Sequence, residues 1–146
     1  MHDIKDTVLV LDDEPMFLDW LEDYLTSKGF KTKFVTNVSD ALAEVTANRY
    51  RALVVDLNVP VTAELMKTLD EKGPVYKEYR GLIVADKARN SGYRDKQVII
   101  YSVHGSQSVK EIADKLRISY ITKGRPHIFK EEIEDILKYD PSEKNA

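Results

Sequence analysis

The run Thr7-Val8-Leu9-Val10-Leu11 contains no polar alternation and stops at Asp12-Asp13. A short, continuous, β-branched-rich apolar run is the pattern of a strand buried on both faces of a parallel sheet. Residues 52–57 and 97–101 repeat it, and 33–36 and 120–122 are shorter versions. Between these runs the apolar period changes. Leu18, Leu21 and Leu25 recur at helical spacing after Glu14-Pro15 and before Gly29, and helices are predicted over 39–48, 81–90, 108–116 and 128–137. Five strands alternating with five helices specify an α/β domain, an open parallel sheet with helices on both faces joined by right-handed crossovers. Ligands in such folds bind outside the carboxyl ends of the strands.

Five candidate residues lie at four of those ends: Asp12 and Asp13 after the first strand, Asp56 after the third, Ser102 after the fourth and Lys123 after the fifth. Taken alone, Asp12 and Asp13 would serve as helix caps, Ser102 as a polar strand end and Lys123 as a solvated lysine. Together they form one constellation. Three carboxylates gathered at a sheet edge repel one another unless a cation sits among them, and hard oxygen donors in so sparse a set suit Mg²⁺ beside a phosphoryl group. A carboxylate can be the nucleophile of phosphoryl transfer once metal and donors neutralise the transferred oxygens. Lys123 offers a positive charge, Ser102 a hydroxyl donor, and Asn58 a backbone carbonyl for the metal.

Residues 9–15 (LVLDDEP), 54–60 (VVDLNVP), 99–102 (IIYS) and 120–123 (YITK) together resemble the response-regulator receiver domain, in the same order along the chain. The resemblance implies a flavodoxin-like sheet of order 2-1-3-4-5, with Asp56 as phosphoacceptor. Asp13 and the Asn58 carbonyl would bind Mg²⁺ with Asp56, Asp12 would act through water, and Ser102 and Lys123 would contact the phosphoryl group. It also implies a switch in which Ser102 moves toward the phosphorylated aspartate and Tyr120 swings inward, with the signal read on the last helix-strand-helix face. The implied partners are a sensor histidine kinase or phosphotransfer protein and a downstream protein, with a phosphorylation-dependent homodimer as a further state. The chain would be a phosphoacceptor with self-catalysed gain and loss of phosphate, not an enzyme on other substrates.

Two departures from the family pattern stand out. Its glycine past the third-strand proline is best matched by Gly81, so residues 61–80 read as an insertion between the third strand and its helix. The insertion is predicted to hold a helix over 63–71, a break at Gly73-Pro74 and an aromatic, charged run at 76–80; its position beside Asp56 suggests a lid or docking arm, its composition a solvated face. The family's lysine-proline pair is replaced by Lys123-Gly124-Arg125-Pro126, which puts the usual cis peptide in doubt.

The 146 residues are read as one domain over 1–138, with a tail at 139–146 expected to fray and no room for an output domain. A net charge of -3 from 22 basic and 25 acidic residues leaves no basic face for direct nucleic-acid binding. The absence of cysteine excludes disulfides and thiolate metal sites, and no apolar run reaches the length of a membrane span, so a cytoplasmic setting is expected. His2 and His127 lack partners at zinc-ligand spacing, His104 reads as a loop residue near the site, and Trp20 as partial core. Two other readings compete. A haloacid-dehalogenase-like phosphatase would also use Asp56 as nucleophile, but it wants an acid where Asn58 stands. An unphosphorylated receiver-like interaction module would ordinarily have lost one member of the acid, serine and lysine set.

Overall fold

The computed structural model describes residues 2–94, 97–103 and 106–138. Five strands, β1 (His2–Leu11), β2 (Lys31–Val35), β3 (Asn48–Val55), β4 (Val98–Ser102) and β5 (Ser119–Thr122), form one sheet of order β2-β1-β3-β4-β5. All pairings are parallel. The helices are α1 (Asp19–Ser27), α2 (Val38–Ala47), α3 (Ala63–Lys72), α4 (Pro74–Glu78), α5 (Leu82–Asn90), α6 (Gln107–Leu116) and α7 (Pro126–Leu137), with a 3-10 turn at Pro15–Leu18.

The continuous apolar runs are explained by what lies on each face. Side chains alternate across a strand, so Val8 and Val10 point to one side and Leu9 and Leu11 to the other. One core packs Val8, Val10, Val54, Ile99 and Ile121 against Leu21 and Leu25 of α1 and Phe129 and Ile133 of α7. Trp20 joins it edge-on to Tyr101 and Phe129, at ring separations of 6.1 and 5.7 Å. The other core packs Leu9, Leu11, Leu53, Val55 and Ile100 against α2, α5, α6 and the inserted segment.

Three boundaries differ from the sequence reading. β1 and β3 begin earlier than their apolar runs, because His2, Asp3 and Ile4 pair with Asn48, Arg49 and Tyr50 as a two-strand extension, separated from the main ladder by an irregularity between Ile4 and Val8. Asn48 therefore opens β3 instead of ending α2. The run at 76–80 is largely helical: α4 starts at Pro74, whose fixed φ suits a first turn. Among the described residues no cis peptide occurs, so the Arg125–Pro126 bond is trans and Pro126 opens α7. Among the described residues no helix is long and apolar enough to cross a membrane.

The insertion is a hairpin of α3 and α4. Thr62 caps α3 by accepting the Leu65 N–H, Leu69 is fully buried, and Val61, Leu65, Met66, Val75, Tyr76 and Tyr79 pack against the second core. Its outer face is charged and tied down by Lys77–Asp70 at 3.0 Å and Lys72–Asp86 at 2.8 Å. The expectation of a solvated charged face holds for one side only; the other side is core.

Candidate functional site

Strand register assembles the site. Leu11 is level with Val55, so Asp12 and Asp56 leave the sheet side by side; Ser102 is level with Thr122, so Lys123 emerges one step beyond it. Backbone bonds fix the strand ends: Asp56 N–H donates to Leu11 O at 2.9 Å and Lys123 N–H to Ser102 O at 3.0 Å. Parallel topology thus brings side chains from four distant segments to one edge.

The side chains are mutually engaged. Asp56 is 6% exposed; its Oδ1 accepts the Ser102 hydroxyl at 2.7 Å and the Leu57 N–H at 2.7 Å, while its Oδ2 lies 3.2 Å from Lys123 Nζ. Lys123 also donates to Asp12 Oδ2 at 2.5 Å, and Asp12 Oδ1 accepts the Glu14 N–H at 2.8 Å. Burial lowers the Lys123 pKa, but its hydrogen bond to Asp12 and the charges of Asp56 and Asp12 outweigh it, so the ammonium is held above its ordinary value. Asp12 thus divides its oxygens, one accepting the Glu14 N–H ahead of the 3-10 turn and the other facing Lys123 in the site.

Asp13 is exposed at the rim, and oxygens of Asp12, Asp13 and Asp56 lie within 4.8 Å of one another. With Glu14, Asn58, Val103 and Lys123 they line a cavity of about 330 Å³. Such a set of hard oxygen donors could hold a small divalent cation, and Mg²⁺ is bound in this manner by one or two carboxylates that leave water positions open. Val103 and Met16, 64% and 63% exposed, are large apolar side chains left at the surface in the segments that follow β4 and β1. None of residues 61–80 lines the cavity.

Sequence reasoning matched Gly81 to a pattern without seeing its physical task. The residue donates its N–H to Leu57 O at 2.9 Å, and a Cβ built on it would stand 1.9 Å from the carbonyl oxygen of Asp56. The chain leaves the site at Pro60 and returns after the hairpin at a point where only glycine fits. Tyr120 is half-buried on β5, lining a groove with Lys110, Ile118, Arg125 and Ile128, and Lys110 Nζ lies 5.9 Å from its ring. His104 and residues 139–146 lie outside the described residues.

No family model matches the sequence, and no curated protein matches it. Solved structures do. A CheY-like response regulator receiver domain protein from Methanospirillum hungatei superposes with a TM-score of 0.70 at 18% identity, covering 91% of this chain and 94% of its own. The chain has the response-regulator receiver fold. The signal receiver domain of a putative LuxO repressor protein from Vibrio parahaemolyticus gives 0.69 at 18% identity over 91% and 90%. The response regulator TrrA from Thermotoga maritima, solved in complex with Mg²⁺-BeF, gives 0.66 at 20% identity over 90% and 98%. In this receiver fold the cavity beside Asp56 sits at the carboxyl ends of the strands.

Proposed function

We propose that the chain is a receiver whose Asp56 accepts a phosphoryl group in a Mg²⁺-dependent reaction. The observation that carries this reading is a buried carboxylate, Asp56, facing a lysine and a serine hydroxyl with two further carboxylates beside it. A carboxylate oxygen of Asp56 attacks phosphorus, the new O–P bond forms as the bond to the donor's leaving group breaks, and the leaving group departs with its electron pair. Asp13, Asp56 and the Asn58 carbonyl, with Asp12 acting through water, would hold the Mg²⁺, which when bound offsets charge on the transferred oxygens. Lys123 and the Ser102 hydroxyl are placed to take up the phosphoryl oxygens, both already within reach of Asp56.

The donor on this reading is a phosphohistidine of a sensor kinase or phosphotransfer protein, and the output is a protein contact made by the domain 1–138, including a phosphorylation-dependent homodimer. The cytoplasm is the setting that fits such partners. The switch would run through Ser102 and Tyr120: Ser102 is bonded to Asp56 in the unphosphorylated state, so a phosphoryl group changes its partner, and the population of Tyr120 positions shifts by the differential energy of the two states.

Incubation with a small acyl phosphate and Mg²⁺, followed by intact-mass measurement, tests the proposal. The parent gains one acyl phosphate, cleaved by hydroxylamine and formed only when the metal has not been chelated beforehand, and Asp56→Asn gains none. Equal gain by Asp56→Asn overturns the assignment, and multiple turnovers of a generic phosphomonoester would favour the phosphatase.

A further inference from the structure

The last two residues of β4 face opposite ways. Side chains alternate along a strand, so Ser102 meets Asp56 while its neighbour Tyr101 enters the core on the other face of the sheet. There the ring is 2% exposed, tilted against Phe129 at 4.6 Å and edge-on to Trp20 at 6.1 Å. A phenylalanine would fill the same space, so packing explains the ring and leaves the hydroxyl unexplained. A phenol is costly in an apolar core unless its oxygen finds a partner.

The partner is the backbone N–H of Gly124, in the loop that carries Lys123. Burial pushes the phenol above its ordinary value, against the Lys123 charge and that N–H, so the group stays a neutral hydroxyl. The loop needs a restraint from outside. Gly124 has φ 96°, and nothing lies within 4 Å of where a Cβ would stand, so the turn is not held by packing on that side. One step earlier, Lys123 N–H donates to Ser102 O at 3.0 Å, and its ammonium reaches Asp12 at 2.5 Å and Asp56 at 3.2 Å. Peptide units are planar, so the backbone freedom of a residue lies in the two torsions between its flanking units. The unit before Lys123 is bonded to Ser102 and the unit after it to Tyr101, so both torsions are fixed from β4.

We infer that Tyr101 is a positioning residue for Lys123: the Ser102 carbonyl and the Tyr101 phenol pin the peptide units on either side of the lysine and so aim its ammonium at Asp12 and Asp56. The role of Lys123 in taking up phosphoryl oxygens rests on the function proposed above; its placement by Tyr101 does not. Without the hydroxyl the ring still packs, the Gly124 N–H loses its partner, and the lysine stem gains torsional freedom. Its ammonium then spends less time within reach of the transferred oxygens, and lost orientation of a group that acts at short range slows the reaction. Asp12, Asp13 and Asp56 follow β1 and β3 and keep their places.

Tyr101→Phe, Lys123→Met and the double variant form a cycle, read first by urea unfolding of the full chain without metal. Removing the lysine should shift the urea midpoint about half as far, or less, in the Tyr101→Phe background as in the parent, because residues that act through one another are not additive. Uptake from a small acyl phosphate gives the second reading. Its maximal rate should fall about tenfold in Tyr101→Phe, with the half-saturating Mg²⁺ concentration unchanged. In the Lys123→Met background Tyr101→Phe should slow uptake no further. Trp20→Phe, which disturbs the same aromatic cluster and leaves the hydroxyl, should lose stability and take up phosphoryl like the parent. Equal midpoint shifts in the two backgrounds, uptake by Tyr101→Phe at the parent's rate, or an equal fall in Trp20→Phe overturns the inference. If the parent takes up no phosphoryl group, the reading of Asp56 falls, and the urea cycle still decides whether Tyr101 places Lys123.

Discussion

Lys123 is the residue on which the charge balance of the site depends. It faces two carboxylates whose side chains are 2% and 8% exposed. Removing one partner of a buried ion pair leaves the rest uncompensated, at a cost of about 3–5 kcal/mol. Lys123→Met should therefore lose about that much stability to urea without metal and recover part of it with Mg²⁺, which supplies the missing positive charge. The pH dependence has a definite sign. Because the folded-state value is raised above the ordinary 10.5, the ammonium contributes fully below pH 10.5, and its contribution disappears as pH rises through the folded value. The alkaline limb of the stability curve should be shallower in Lys123→Met. Gly81→Ala acts on the backbone instead: its methyl would have to displace the Asp56 carbonyl, so a loss of about 1–3 kcal/mol is expected together with slower phosphoryl uptake. Urea melts and mass-detected uptake kinetics check both effects.

At the scale of elements, the hairpin and the α2–β3 junction are the informative parts. Leu69 is the hairpin's fully buried anchor, so Leu69→Ala should cost about 2–5 kcal/mol by urea titration while leaving Mg²⁺-dependent uptake intact below the transition. At the junction Tyr50 OH donates to Glu44, whose carboxyl is held below its ordinary range by that bond, against burial, and by Lys33. A depressed carboxyl stabilises above the unfolded value of 4.5, and the contribution is lost as pH falls through the folded one. Glu44→Gln should thus flatten the acid limb, which thermal melts at stepped pH would measure. The strands that carry the site were legible because Val8–Leu11, Ala52–Val55 and Val98–Tyr101 are apolar on both faces and can only be central. The early ends of β1 and β3 were not, since His2-Asp3-Ile4 and Asn48-Arg49-Tyr50 form no continuous apolar run. Nor was α4, whose five residues are too few to display a helical period.

For the whole molecule, parallel topology explains why one sequence discloses so much of the site and so little of the opposite edge. Every strand delivers its last side chains to the same edge, so Asp12, Asp56, Ser102 and Lys123 could be grouped from strand order alone. At the amino ends of the strands, bonds such as Arg49 to Gly92 and Arg89 to Leu116 join helix ends and loops and follow no periodic rule. The proposed metal binding belongs to this scale as well, because the candidate ligands come from separate segments that meet only on folding. Mg²⁺ should raise the thermal midpoint of the parent, with about 2.7 kcal/mol gained at a hundredfold excess over the dissociation constant, and should raise that of Asp13→Asn/Asp56→Asn far less. Differential scanning calorimetry across a Mg²⁺ series provides the measurement.

The closure beneath the hairpin bears on how this chain could be engineered. Val38 N–H on Pro60 O and Gly81 N–H on Leu57 O pin both ends of the inserted segment to the scaffold. The entropy of closing a loop grows by only about 0.6 kcal/mol for each doubling of length. The outer turn between α3 and α4 is therefore a socket, into which a folded reporter module could be spliced without lengthening the path to the sheet. A module seated there would be carried on the strand end that bears Asp56.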